Sequence, residues 1–280
     1  MNSWTEAVID MTQNANQYDL LKFWYRDPIE TAKWLLRQTY NSQNLVFSPE
    51  RSFTNGIREY GEMYTGDWWW NEQDKLTTGA SLVPFIFLSD STYLTAYIGD
   101  KKIWSVYMTI GNLSSVVRMK PTTHSVVMIA VLPEKAKYSA QSDISRQKQA
   151  IWDHWIVHEV LKVVLQPLFD YSRNRDPNDT HPSLYFHTLC GGGNWHQCFV
   201  RIGAWLADYP EHMALQSLHA NSCPWCEVPA LKFGDYPSVF PHRDHQVYMC
   251  LFYNEDSTQR VAQLTEWGIR MTTDNVLWRL

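Results

Sequence analysis

The chain has 280 residues, with 24 Lys plus Arg against 29 Asp plus Glu and a net charge of −5; 45% of it is apolar, including 14 Trp. That apolar content excludes a disordered chain, and the length allows one large domain or two small ones. The acidic balance removes any global electrostatic case for nucleic-acid binding, which must rest on local groups, and no run of about 18 apolar residues offers a membrane span.

The polar start, residues 1–19, lacks the apolar segment of a signal peptide. Residues 1–50 read as helical. Asp27-Pro28 opens one helix, with Asp27 as N-cap and Pro28 in the first helical position. Residues 56–75 read as a loop-rich, tryptophan-dense link that carries Trp68-Trp69-Trp70. Packing against a sheet is the simpler role for these rings, because no basic residue interleaves with them as in single-strand binders.

A strand-rich block follows. Residues 82–90 are an apolar run ending at Asp90, the pattern of a buried strand. Pro84 belongs near the start of that strand or at an irregularity. Residues 101–112 alternate apolar and polar and read as a second strand; residues 124–132, stopped by Pro133, are a third. Residues 146–168 are a strong amphipathic helix, with Trp152, Ile156, Val160 and Val163 at helical spacing. His154 and His158 lie at i and i+4 on it and read as part of its polar face. Residues 171–182 are a polar loop, and Gly191-Gly192-Gly193 a flexible link without phosphate-loop spacing. Residues 198–207 form a fourth strand ending at Asp208; residues 211–220 are helical; residues 223–245 are a compact loop-rich module.

The order strand, strand, strand, helix, strand predicts an α/β fold with a mixed sheet, similar to the ribonuclease-H-like fold. Two constellations carry chemistry. Asp90 and Asp208 each end a buried strand, where two carboxylates on neighbouring strands can share Mg²⁺ or Mn²⁺ for phosphoryl transfer. The competing reading makes both ordinary strand-end residues, with Asp208 an N-cap before Tyr209-Pro210-Glu211. The second constellation is Cys223, Cys226, His242 and His245, a C-x2-C-x15-H-x2-H spacing suited to a structural zinc, with His219 or Cys250 able to replace a histidine. Its competing reading is a pair of free thiols. The five cysteines, Cys190, Cys198, Cys223, Cys226 and Cys250, are odd in number and late in the chain, which suits a reducing compartment better than disulfides. Lys101, Lys102, Arg118 and Lys120 are the one modest basic set, either phosphate contacts or a solvated face.

Ordered landmarks from about residue 20 to 280 carry a resemblance. They are Arg26-Asp27-Pro28, Glu62-Met63-Tyr64-Thr65-Gly66-Asp67 with its three tryptophans, Ser89-Asp90-Ser91-Thr92, Gly99-Asp100-Lys101-Lys102 and Thr109-Ile110-Gly111-Asn112. Further on come Ala207-Asp208-Tyr209-Pro210-Glu211, Cys223-Pro224-Trp225-Cys226 and Arg243-Asp244-His245. On these the chain resembles the Plavaka-type transposases of fungi, in the wider Kyakuja–Dileera–Zisupton group of cut-and-paste DNA transposons. The resemblance implies a ribonuclease-H-like core with an Asp-Asp-Glu triad. Asp90 and Asp208 would be its first two acids, holding magnesium or manganese, with a zinc knuckle of Cys223, Cys226, His245 and, as fourth ligand, His242. It implies double-stranded DNA at transposon ends as partner and a nuclear location, and it allows a homo-oligomer.

The family motif reads Ser-Asp-Lys-Thr-Gln where this chain has Ser89-Asp90-Ser91-Thr92-Tyr93. The third family acid lies beyond the zinc insertion, where Glu255 and Glu266 stand here without a family motif. The expectation is therefore a truncated or degenerate copy, inactive in transposition. It divides into a helical, Trp-rich segment over 1–75, a core over 76–220 incomplete at its C-terminal side, and a zinc-knuckle insertion over 221–280. The alternative is a non-catalytic, zinc-containing DNA- or protein-binding module.

Overall fold

A computed structural model of the chain describes residues 3–10, 20–38, 43–94, 102–132, 143–173, 185–235, 239–253, 262–265, 267–270 and 275–279. The apolar run at its centre forms β5 (Ser81–Tyr93). Val83, Phe85 and Phe87 project into the main core, while Leu82, Pro84 and Ile86 lie outside that cluster. A strand buried on both faces needs an uninterrupted apolar sequence, which is why this one does not alternate.

β5 pairs antiparallel with β6 (Lys102–Ile110), and β6 pairs antiparallel with β7 (Val127–Leu132). The long helix α4 (Asp143–Arg173) then leads to β8 (Tyr185–Leu189) and β9 (Trp195–Leu206). β9 returns alongside β5 and runs parallel to it. β1 (Thr5–Asp10) and β2 (Leu20–Tyr25) complete a seven-stranded sheet of order β1-β2-β7-β6-β5-β9-β8. The sheet is antiparallel except at the β5–β9 pair. Helices α1 (Pro28–Arg37) and α4 supply Ile29, Leu35, Leu36, Val160, Leu161, Val164 and Leu165 to the same core as Phe85, Phe87 and Val106.

The helical expectation for residues 1–50 is corrected. The helix α1 is present, capped by Asp27 through its acceptance of Ile29 N–H at 2.7 Å and Glu30 N–H at 3.2 Å. Ahead of it stand two strands. Ile9 and Phe23 are buried while Val8, Leu20 and Trp24 are exposed, a period of two that only a strand can satisfy. The sheet thus takes strands from both sides of residue 75.

The link at 56–75 also holds structure. β3 (Ser52–Thr54) and β4 (Ile57–Glu59) form a hairpin whose Asn55 and Gly56 have φ of 52° and 80°, as a primed turn requires. Helix α2 (Asp67–Gln73) follows and buries Trp69 completely. β8 was not expected; the glycine link is the turn between β8 and β9, with Gly193 at φ 84° and its N–H bonded to Cys190 O.

Pro84 sits in a central strand, and its neighbours explain how. It lies level with Gly111 next to β6, and Gly203 is the extra residue where β9 bulges against Phe85 and Ile86. The ring and Met63 occupy the space where side chains at both glycines would stand: a Cβ at Gly111 would meet Met63 Sδ at 2.7 Å and Pro84 Cβ at 3.1 Å.

After β9 come α5 (Tyr209–Leu215) and α6 (His245–Phe252). Met213, Leu218, Tyr248, Leu264 and Ile269 make a second, smaller core beneath the cysteine-bearing segment. The one-turn helix α3 (Ser115–Arg118) follows β6 and rests on Glu62.

Candidate carboxylate site

The β5–β9 register sets the site. Leu88 pairs with Leu206, and two residues further along each segment come Asp90 and Asp208. Asp90 sits opposite Ser105 on β6, is exposed, and accepts from Thr92 Oγ1 at 2.6 Å. Asp208 is also exposed and caps α5, its Oδ1 accepting from Glu211 N–H at 2.8 Å. Asp208 thus takes the N-cap role, and Asp90 stands inside β5, which runs on to Tyr93, and not at the strand's end as expected. Capping uses one carboxylate oxygen of Asp208.

A third carboxyl group, which the sequence reading missed, stands beside this pair. Glu211 is 6% exposed and accepts through Oε2 from Ser89 Oγ at 2.6 Å. Ser89 in turn accepts from Trp205 Nε1 at 3.1 Å. Glu211 Oε1 and the buried Trp104 indole N–H are neighbours without a hydrogen bond of good geometry between them. Burial raises the Glu211 pKa; the Ser89 bond and the nearby Trp104 indole oppose that, while Asp208 and Asp90 add to it. Asp-x-x-Glu at a helix start is a capping-box signal, in which the glutamate would turn back to the N-cap backbone. Here it turns instead towards β5.

Carboxylate oxygens are the donor type that suits a hard divalent cation. Among the described residues no group of three or more His, Cys, Asp or Glu side chains is close enough to share one ion. Asp90 and Asp208 both lie near enough to Glu211 to act on its carboxyl group electrostatically.

The cysteine module is assembled only in part. Cys226 and His242 form an antiparallel bridge, and Glu227 N–H bonds to Pro241 O at 3.0 Å. Trp225 N–H donates to Cys223 Sγ at 3.4 Å. Against burial, that bond, the Cys226 backbone and thiol, and Arg243 lower the Cys223 pKa, whereas burial raises that of Cys226. His245 begins α6 and stacks towards Tyr248, ring centres 5.9 Å apart, its pKa lowered first by burial and then by Arg243. Arg243 is the organiser, donating to Cys223 O at 2.6 Å and Trp267 O at 2.8 Å. The two thiols open onto a groove of about 340 Å³ lined also by Tyr209, Lys232, Phe233 and Phe240. The four expected ligands do not converge as a closed set here, and Glu255 and Glu266 lie outside the described residues.

Three smaller expectations meet the structure differently. His154 and His158 are buried, not a solvated face: His158 Nε2 lies 3.2 Å from Ser217 Oγ and His154 Nε2 2.6 Å from Arg270 Nη1. A helix met on that side by α5, Ser217, Arg270 and the turn at Val276–Arg279 turns a polar face inward. Arg118 is committed to Glu62 at 3.6 Å and to Leu113 O, and Lys102 lies over the Tyr93 ring at 4.2 Å. Lys101 lies outside the described residues. Arg51 stacks on Trp70 at 4.7 Å, a basic partner that sequence proximity did not reveal.

A family model described as Plavaka transposase matches residues 2–278. No curated protein matches the chain. No helix of the described residues is long and apolar enough to cross a membrane.

Proposed function

The chain belongs to the Plavaka transposase family, and on that premise we propose that it acts on DNA by metal-dependent phosphodiester cleavage and strand transfer at transposon ends. The observation that carries this reading is the parallel β5–β9 pair, which runs as far as Leu88 and Leu206, with Asp90 on β5 and Asp208 at the start of α5 each two residues further on. The sheet order is compatible with a ribonuclease-H-like core: a three-stranded antiparallel meander, a long helix and, after the additional strand β8, a strand parallel to the first.

In this reading Asp90 and Asp208 hold Mg²⁺ or Mn²⁺. A bound ion supplies charge stabilisation on the attacking and leaving phosphate oxygens. The chain's own residues orient the site: Thr92 and the first turn of α5 each hold one carboxylate oxygen, and the second oxygen of each aspartate is the one assigned to the ion. The exposed rim suits a phosphate backbone reached from solution, and a nuclear location follows from the proposed substrate.

We place a structural zinc with Cys223 and Cys226. The thiol pair and the Cys226–His242 bridge support it; His242 and His245 would have to swing in to close the set. No catalytic step runs through it.

The test is Mn²⁺-dependent nicking of transposon-end DNA by purified chain. Asp90→Ala or Asp208→Ala is expected to lower the rate roughly 10³–10⁴-fold, as loss of one member of a catalytic unit does. Nicking that survives removal of both aspartates rejects the assignment. DNA binding that persists in Asp90→Ala and vanishes in Cys223→Ser would favour the binding-module alternative. Elemental analysis of pure protein tests the zinc, for which about one ion per chain is expected.

A further inference from the structure

Glu211 presents a physical problem. Burying a carboxyl group costs free energy unless its oxygens are well paired, yet Glu211 is 6% exposed, its Oε1 has only the Trp104 indole near it and no hydrogen bond of good geometry, and two further carboxylates act on it. A leucine in that position would cover the core at lower cost. What the glutamate makes that leucine cannot is one specific link. Its Oε2 accepts from Ser89 Oγ at 2.6 Å, and Ser89 immediately precedes Asp90. Its backbone N–H donates to Asp208 Oδ1 at 2.8 Å.

The same residue therefore holds the end of β5 with its side chain and Asp208 with its main chain. Trp205 Nε1, bonded to Ser89 Oγ at 3.1 Å, ties β9 into the same node. Backbone pairing between β5 and β9 stops at Leu88 and Leu206. Past that point the Ser89–Glu211 link holds the two segments that carry the aspartates at a fixed spacing.

We propose that Glu211 is a positioning residue, whose buried link to Ser89 sets the separation of Asp90 and Asp208 and so their joint affinity for a divalent cation. The proposal rests on the two-aspartate reading above. Glu211 is not itself assigned as a ligand, because no three acidic side chains among the described residues are close enough to share one ion. Groups that orient metal ligands from behind are worth roughly 10–100-fold in affinity.

The test is calorimetric titration of Mn²⁺ into the full chain, wild type and variants, with thermal unfolding recorded for each. Glu211→Ala and Ser89→Ala are each expected to weaken Mn²⁺ binding by roughly 10–100-fold. The double variant should be no weaker than the worse single one, since both break the same link. Glu211→Gln keeps an oxygen acceptor for Ser89 and should retain most of the affinity. Should Glu211→Ala fail to fold, Ser89→Ala and Glu211→Gln address the link from either end.

Unchanged affinity in Ser89→Ala and Glu211→Ala, with binding abolished by Asp90→Asn, overturns the inference and leaves the two-aspartate site standing. A loss in Glu211→Gln as large as in Glu211→Ala also overturns it, since the charge and not the link would then matter. A wild-type chain that binds no Mn²⁺, or binds it equally well as Asp90→Asn, overturns the two-aspartate reading and this inference together.

Discussion

Asn112 carries more of the fold than its size suggests. It is fully buried, and its Nδ2 donates to Val46 O and to Leu82 O, both at 2.9 Å. One amide thus ties the segment before β3 to the start of β5. Asn112→Leu strands two carbonyls and is expected to cost about 1–3 kcal/mol, read as a lower urea midpoint at unchanged slope. Glu62 works similarly on the surface, accepting from Ser115 N–H and Oγ at 2.7 and 2.6 Å to cap α3. His196 sets a pH dependence. It stacks on Phe47 with ring centres 4.1 Å apart and lies 2.9 Å from Ser81 Oγ. Burial lowers its pKa below the ordinary 6.5. The unfolded chain then binds the proton more readily in the window from 6.5 down to the depressed value, so stability is full above 6.5 and is lost as pH falls through that window. Melting temperatures between about pH 7.5 and 5.5 should drop, and His196→Gln should flatten the slope.

At the level of elements, the packing around Pro84 is the most exacting feature. A proline in a central strand is normally disfavoured because it removes a ladder donor and its ring needs room. Gly111 and Gly203 provide that room, and Met63 covers the ring. Gly111→Ala forces the new methyl against the rigid proline ring as well as the flexible methionine, and is expected to cost about 1–3 kcal/mol, measured by chemical denaturation. The family landmarks Glu62-Met63 and Gly111-Asn112 thus have structural duties of their own. β5, β6, β7, β9 and α4 were legible because long apolar runs or clear periods announce them. β1 and β2 were not: six-residue strands with one face exposed leave too few apolar positions to separate a period of 2 from 3.6. The hairpin β3–β4 did carry its signal, Asn55-Gly56, overlooked among the tryptophans.

Across the whole molecule, β1 is an edge strand of the sheet, and beside it Val8, Leu20 and Trp24 are exposed. An apolar edge favours strand-to-strand association. Val8→Lys is expected to reduce self-association at unchanged fold, seen by light scattering with circular dichroism as control. The cysteine-bearing end rests on its own small core around Tyr248, Leu264 and Ile269. On the zinc proposal, a chelator should loosen this end before the sheet, giving early loss of amide protection in α6 while β5 stays protected.

The sequence by itself determined the strands β5, β6, β7 and β9, the long helix between β7 and β9, the cap of α1 and the family. These follow from hydrophobic periods, turn chemistry and motif spacing, all local along the chain. Tertiary structure alone decided which groups Asp90 and Asp208 meet. Glu211 turns to Ser89 from 122 positions away, His154 and His158 become buried because α5 and the segment near residue 270 cover them, and Arg51 reaches Trp70. A side chain's partner across the fold depends on how sheet register and helix packing bring distant segments together, and no local pattern encodes that distance.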